Sequence, residues 1–326
     1  MDVFLGLYCL FFLGAYILWI DSSRKEKINS TKAASTAMFV AVILILFRIF
    51  NLQTDFGLIL GVFVLFSFVS IFVGILLKYR ELTKESVSYF LILLVIFCVR
   101  SFWYEPYQIP SRSMVPGLQV GDFVLVNKHS YGLKFPGYYF PITKTIEPRR
   151  GDVAVFMPPH TLCEVDPEDA RPDLADISIS DSQFFISKFK TLKKERCSKF
   201  GMKYVKRIIG LPGDHISIKG YEIYVNGKVI DSTFDYKEGI EEFYKETIGN
   251  KEVIVRRLNT KQVEEFEWYV PKNRYLAIGD NRDNSLDSRD WGYVSKDYLV
   301  GTADFVWMSW VSFGELPSFK RNKRIK

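Results

Sequence analysis

The chain has 326 residues, of which 48% are hydrophobic and 25% charged, with 13 Pro and four Cys. An aromatic share of 16% and so few cysteines exclude disordered, collagen-like and disulfide-dense classes. The net charge of +6 is spread over the chain: nine Lys/Arg stand against six Asp/Glu in residues 1–104, and 34 against 31 beyond. No concentrated basic patch points to nucleic acid, and none is expected as a partner.

The first hundred residues exclude a single soluble domain. Val3–Ile20 is 18 uncharged residues in a row and Phe56–Leu77 is 22. Ala33–Leu52 is interrupted only by Arg48, and Ser86–Tyr104 only by Arg100. About 20 mostly apolar residues cross a bilayer as a helix, so four spans are predicted. Both arginines lie near the C-terminal end of their span, where a long side chain snorkels to the membrane face. The first span lacks the positive flank and the small-residue cleavage site of a removable secretory signal, and reads as a retained anchor. Arg24, Lys25, Lys27 and Lys32 mark the first loop, and Lys78, Arg80 and Lys84 the third; Asn51–Asp55 has no Lys or Arg. Positive loops stay cytoplasmic. Residues 105–326 are therefore expected on the outer face of the cytoplasmic membrane, behind a membrane anchor of residues 1–104.

The outer half reads as β structure. Phe123–Asn127, Val153–Met157, Val205–Ile209, His215–Lys219, Glu222–Val225, Val229–Asp231, Tyr275–Ile278 and Ala303–Trp307 are short runs rich in β-branched and aromatic residues. Asn226-Gly227 is a hairpin turn signal. No long amphipathic helix is expected between strands, which argues against a parallel α/β sheet. Thr161–Met202 and Phe234–Phe266 read as polar insertions. The basic tail Lys320–Lys326 reads as a contact for anionic lipid or as a solvated terminus.

The chemistry concentrates directly after the fourth span. Only three His occur, at 129, 160 and 215, and no Cys-x-x-Cys or His-x-x-x-His metal spacing is present, so no cofactor or metal is expected. Composition leaves a Ser-His-Asp site open, but no Gly-x-Ser-x-Gly elbow supports one. Gln108-Ile-Pro-Ser-Arg-Ser-Met-Val-Pro-Gly-Leu-Gln-Val-Gly-Asp122 holds Ser111 and Ser113 between Pro110 and Pro116. Proline restricts itself and its predecessor, so Ser111–Ser113 is expected in a stiff, extended piece of chain. A serine hydroxyl needs a base; without His that base is a neutral Lys, which requires burial or a neighbouring cation. Lys203-Tyr-Val-Lys-Arg-Ile-Ile-Gly-Leu-Pro-Gly-Asp214 offers Lys206 among Val205, Ile208 and Ile209, with Arg207 pointing to the other strand face. By pattern alone, Lys206 also reads as a strand-edge lysine and Ser113 as a turn serine.

Three segments in order carry a resemblance: Ser111-Arg-Ser-Met-Val-Pro116; Lys206-Arg207 with Gly210-Leu-Pro-Gly-Asp214; and Gly279-Asp-Asn-Arg-Asp-Asn-Ser-Leu-Asp-Ser-Arg289 followed by Trp291-Gly292. Together they resemble the motif boxes of the type I signal peptidases (leader peptidases), over about residues 105–315. Gly117 departs from the pattern, since the family usually has Thr there. The resemblance implies a catalytic domain of coiled antiparallel sheets and removal of signal peptides from exported preproteins, with protein-export machinery as a further partner. It makes Ser113 the nucleophile and Lys206 the general base. Ser111, with the Ser113 N–H, forms the oxyanion hole, and Ser285 orients the Lys206 amine. Asp287 and Arg289 form a supporting ion pair, and Asp280 is a further supporting residue. Ile109, Pro110, Met114 and Val205 are the expected lining of shallow pockets for small residues one and three before the cut, which share a face of an extended substrate. The same residues also read as ordinary core. The rival reading is a membrane-anchored, catalytically inactive binding or scaffold module of the same fold; the intact Ser113 and Lys206 speak against it. A non-cytoplasmic location also permits a disulfide between Cys163 and Cys197.

Overall fold

A computed structural model describes residues 3–51, 55–136, 140–174, 178–198, 201–258, 265–312 and 314–326. Leu52, Gln53 and Thr54, in the loop without Lys or Arg, lie outside the described residues, as do 175–177 and 199–200 of the first polar stretch and 259–264 of the second. The chain divides into two compact units, Met1–Arg100 and Ser101–Lys326.

The first unit is four helices: α1 Val3–Arg24, α2 Ile28–Asn51, α3 Phe56–Leu76 and α4 Arg80–Cys98, each long and apolar enough to cross a membrane. α1 packs against α2 and α3 against α4. Small residues make the close approaches: Ala15, Ala34 and Ala41 are buried, and a Cβ on Gly74 of α3 would collide with the Thr83 backbone of α4. Ser67 and Ser70 donate to the carbonyls of Phe63 and Phe66 one turn earlier, which satisfies their hydroxyls without a partner helix. Asp55 caps α3 by accepting from the Gly57 N–H at 2.7 Å. Phe4, Phe47, Phe72 and Leu91 are exposed on the outside, a surface suited to hydrocarbon and not to water. Two arginines of this unit lie over aromatic rings, Arg48 over Phe4 and Arg100 over Phe56.

The second unit is mainly β, with antiparallel pairing in every ladder among the described residues. Its strands are β1 Tyr104–Gln108, β2 Asp122–Asn127, β3 Val153–Phe156, β4 Tyr204–Gly210, β5 His215–Lys219, β6 Glu222–Val225, β7 Lys228–Val229, β8 Ser232–Glu238, β9 Glu241–Ile248, β10 Lys251–Leu258, β11 Glu265–Tyr269, β12 Arg274–Ile278, β13 Val294–Ser295, β14 Leu299–Ser309 and β15 Lys323–Arg324. The large sheet runs β1-β2-β14-β3-β4-β12-β13, with β15 beside β14; β11-β5-β6-β7 and β10-β9-β8 form two smaller sheets. β4 divides the core because alternate side chains face opposite ways: Ile208 joins Phe156, Tyr275 and Trp291, while Ile209 joins Ile216, Leu276 and Ile278. Asn226 and Gly227 both take positive φ (52° and 79°), the backbone a two-residue hairpin turn requires.

The structure corrects four expectations. First, the stretch 161–202 contains an 18-residue helix, α6 Ile179–Arg196, and a short one, α5 Pro167–Ala170. α6 buries only Phe185 and Phe189, so its apolar stripe is too narrow to show as amphipathic periodicity. It joins β3 to its antiparallel neighbour β4, so the sheet stays antiparallel. Second, most of 234–266 is the three-stranded sheet β8–β10, which looks polar because β8 is largely exposed and β9 alternates. Third, Ser111–Ser113 opens a turn and is not extended, since the Val115 N–H donates to Arg112 O and the Leu118 N–H to Met114 O. Fourth, the basic tail is docked: β15 pairs with β14, and Arg321 clamps the buried Asp122 with two hydrogen bonds of 2.8 and 2.9 Å. The disulfide between Cys163 and Cys197 is formed and closes off the α5–α6 stretch.

Candidate active site

The turn that carries Ser113 hangs between two paired strands. Its ends are tied where the Ile109 N–H donates to Asp122 O and the Gly121 N–H to Ile109 O. Met114 and Leu118 anchor it by burying their side chains in the β2–β14 core with Ile109, Val124 and Val306. This places Ser113 at the edge of burial, 9% exposed, with Ser111 outside it. Lys206 comes from the middle of β4, in register with Ala154 of β3. Its side chain is 3% exposed, and its amine donates to Ser113 Oγ at 2.6 Å and to Val205 O at 3.0 Å. Ser111 Oγ lies 3.3 Å from Ser113 Oγ.

Burial is the main force on Lys206: it disfavours the ammonium and pulls the pKa down from 10.5 to about 8. Asp287 and Asp280 act the other way, and Arg289 adds to the lowering. Lys206 is therefore substantially neutral a little above physiological pH, and a neutral amine 2.6 Å from a hydroxyl can take its proton. The ring of Tyr204 lies 5.5 Å from the amine. Among the described residues, none of the three His hydrogen-bonds to Ser113; buried His160 bonds Tyr204, and burial drives its pKa to about 3.

The loop from Gly279 to Arg289 holds the turn from below. The Asn281 N–H donates to Ser113 O at 3.1 Å and its side-chain amide to Arg112 O at 2.9 Å. Gly279 is required by this approach, because a Cβ there would collide with Ser285 Oγ and the Ser113 carbonyl. Asp280 grips Arg207 through two hydrogen bonds of 2.8 and 2.7 Å, both groups being buried, and so ties the loop to β4. Arg207 also donates to the carbonyls of Gly151 and Lys326. Asp287 caps the short helix α7 Ser288–Trp291 and pairs with Arg289 at 2.8 Å. Burial pushes the Asp287 carboxyl up, but Arg289 and the Gly279 N–H overcome that and hold it below the usual range.

The arrangement thus brings together Ser113, Lys206, Ser111, Asp280, Asp287 and Arg289. Ser285 is beside them, with its hydroxyl buried and in no hydrogen bond of standard geometry to Lys206; it lies near enough to Asp287 to favour that carboxylate. Of the four expected pocket residues, Ile109 and Met114 have their side chains in the core, Val205 is half-buried and Pro110 is exposed. Two contributors received no role from the sequence. Asn281 lay inside the specific third motif, and its place in the loop was the available signal. Tyr204 carried no signal beyond its adjacency to Lys206.

A family model described as "Signal peptidase, peptidase S26" matches residues 82–310, which span all of these side chains. The chain belongs to the S26 signal peptidase family. Signal peptidase I of Pseudomonas aeruginosa is 33% identical over 259 residues, covering 74% of this chain and 78% of that one. Signal peptidase I of Pseudomonas fluorescens is 33% identical over 264 residues, 75% of this chain and 80% of its own. That of Buchnera aphidicola subsp. Acyrthosiphon pisum is 35% identical over 273 residues, 69% and 75% of the two chains. A crystal structure of a signal peptidase I from Enterococcus faecalis V583 matches at 18% identity and a TM-score of 0.26, covering 48% of this chain and 97% of that one. With four helices fit to span a bilayer, this signal peptidase is membrane-anchored.

Proposed function

We propose that this signal peptidase cleaves preproteins with a Ser113/Lys206 dyad, on the outer face of the cytoplasmic membrane. The observation that carries the reading is the 2.6 Å hydrogen bond between a buried Lys206 amine and Ser113 Oγ. The neutral amine takes the Ser113 proton as Oγ adds to the scissile carbonyl. The resulting oxyanion is met by the Ser113 N–H and the Ser111 hydroxyl; each such donor lowers the barrier by about 3–4 kcal/mol. The Lys206 ammonium then protonates the departing amine, leaving an acyl-enzyme and a free mature N-terminus. Neutral again, Lys206 takes a proton from water, hydroxide equivalent adds to the acyl carbon, and Ser113 leaves with the proton returned. Asp280 and the Asp287–Arg289 pair hold the loop under the nucleophile and do not react. Ser285 steadies the site through Asp287.

Specificity for small residues one and three before the cut follows from an extended substrate, whose alternate side chains face the enzyme together. Of the four apolar residues near the dyad in sequence, exposed Pro110 and half-buried Val205 are the ones open to such a substrate. The positive loops Asp21–Lys32 and Lys78–Glu85 support an outward catalytic unit. Purified full-length protein in detergent with a preprotein tests the chemistry: Ser113→Ala and Lys206→Ala abolish cleavage while the fold persists. Normal activity in Lys206→Ala, or equal loss on replacing a His, overturns it. Protease added to spheroplasts digests residues beyond 104 and spares the two loops; protection of the large unit overturns the topology.

A further inference from the structure

The three-stranded sheet β8–β10 supplies no residue to the dyad, yet one of its carboxylates is buried against the catalytic loop. Glu246 of β9 is 2% exposed. One carboxylate oxygen accepts from Arg257 of β10 at 2.7 Å, and the other accepts from Arg282. Arg282 is itself 4% exposed and immediately follows Asn281, which holds the carbonyls of Ser113 and Arg112. The backbone repeats the connection: the Arg256 N–H donates to Asp280 O and the Arg282 N–H to Arg256 O, both at 2.9 Å.

We infer that Glu246 is a positioning residue: it locks the β8–β10 sheet to Arg282 and thereby fixes Asn281 under the nucleophile. The inference rests on Ser113 being that nucleophile. The physical reason is charge. Two buried guanidinium groups share one carboxylate, and both lose their compensation when it is neutralised. Arg282 then turns toward water, and because its backbone is part of the loop the shift passes to its neighbours. Asn281 is one peptide away, so its two hydrogen bonds to the nucleophile turn lengthen. Displacements of this size at a nucleophile are costly because attack demands a narrow geometry.

The test uses the full-length protein in detergent and a preprotein substrate, with kcat expressed per folded molecule from near-ultraviolet circular dichroism. Glu246→Gln is expected to lower kcat between about ten- and a hundredfold, with KM within about twofold and the rising limb of the pH profile still near 8, since the neighbours of Lys206 are untouched. Ile240→Ser, on the exposed β8–β9 turn, leaves kcat unchanged. Arg282→Met approaches the same contact from the loop; combined with Glu246→Gln it loses no more than Arg282→Met alone. Normal kcat per folded molecule in Glu246→Gln, a loss confined to the folded fraction, or additive losses in the double variant each overturn the inference. Should Glu246→Gln not fold, an Arg282→Met enzyme with wild-type kcat overturns it equally. Ser113→Ala in the same series separates the two readings: if it retains activity the nucleophile assignment fails, and if it is inactive while Glu246→Gln is normal only the buttress fails.

Discussion

Two lysines in the catalytic unit share one electrostatic state and differ in what they face. Lys134 and Lys206 are both drawn down from 10.5 to about 8, in each case chiefly by burial. The Lys134 amine donates to three backbone carbonyls, of Lys296, Asp297 and Leu299, at 3.1, 2.7 and 2.7 Å. Those acceptors have no proton to give, so Lys134 can only clamp the chain at its entry to β14. Lys206 donates to a hydroxyl, which does have a proton to give. The difference teaches that a depressed pKa makes a lysine available as a base, while its partner decides whether it acts as one.

The largest expected effect separates the two directly. Lys206→Met lowers preprotein cleavage by about a thousandfold or more, while Lys134→Met keeps kcat within a few-fold. Lys134→Met instead strands three carbonyls and lowers the stability of the unit by on the order of 2–3 kcal/mol, read from thermal melts. Equal losses of kcat in both variants would erase the distinction.

Next in size is the removal of a charge near only one of them. Asp287→Asn takes the carboxylate partner from half-buried Arg289, which costs on the order of 2–3 kcal/mol of stability, and lowers kcat about tenfold or more through the loop. Because Asp287 raises the Lys206 pKa, its neutralisation moves the rising limb of the pH–rate profile to lower pH. A limb that moves up, or stays, contradicts the placement of that carboxylate beside the base.

The pH dependence of stability is a smaller effect that both lysines share. Folded values near 8 lie below the unfolded 10.5, so the folded state binds these protons more weakly. Below about pH 8 each lysine carries its full penalty, on the order of 3 kcal/mol, and the penalty fades as pH rises toward 10.5. Denaturation midpoints should therefore rise across that window, and each Met variant should remove about half of the rise. Activity, in contrast, should follow the limb near 8 in Lys134→Met as in the wild type. The smallest effect on activity is expected for Cys163→Ser with Cys197→Ser. That disulfide joins residues 34 apart and stabilises by about 3–4 kcal/mol through chain entropy, but it touches neither lysine. The double variant should melt earlier with kcat unchanged; a large loss of kcat at a temperature where it is folded would tie the α5–α6 stretch to the site.

The four helices, seven of the eight expected strands and the Asn226-Gly227 turn were legible in the sequence, because each depends on residues close together in the chain; the eighth, Val229–Asp231, meets β7 only at Val229. Length and hydropathy decide a span, period-2 patterns decide a strand, and two adjacent residues decide a hairpin turn. The side chains that gather around Ser113 and Lys206 lie in three motifs already dense in the sequence. The tertiary structure alone decided what those residues do to one another. Val205, Ile208 and Ile209 suggested that Lys206 is buried, but only the folded sheet, which brings β4 to the turn between β1 and β2, sets its amine 2.6 Å from Ser113 across 93 residues of sequence. The helix α6 was hidden because two buried aromatics leave no readable stripe. The sheet β8–β10 looked like a polar insertion because its most consequential inward residue, Glu246, is charged; its partner Arg282 lies 36 residues away. Local patterns report burial and periodicity, whereas the pairing of a buried charge, or of an amine with a hydroxyl, is settled by distances that only the folded chain creates.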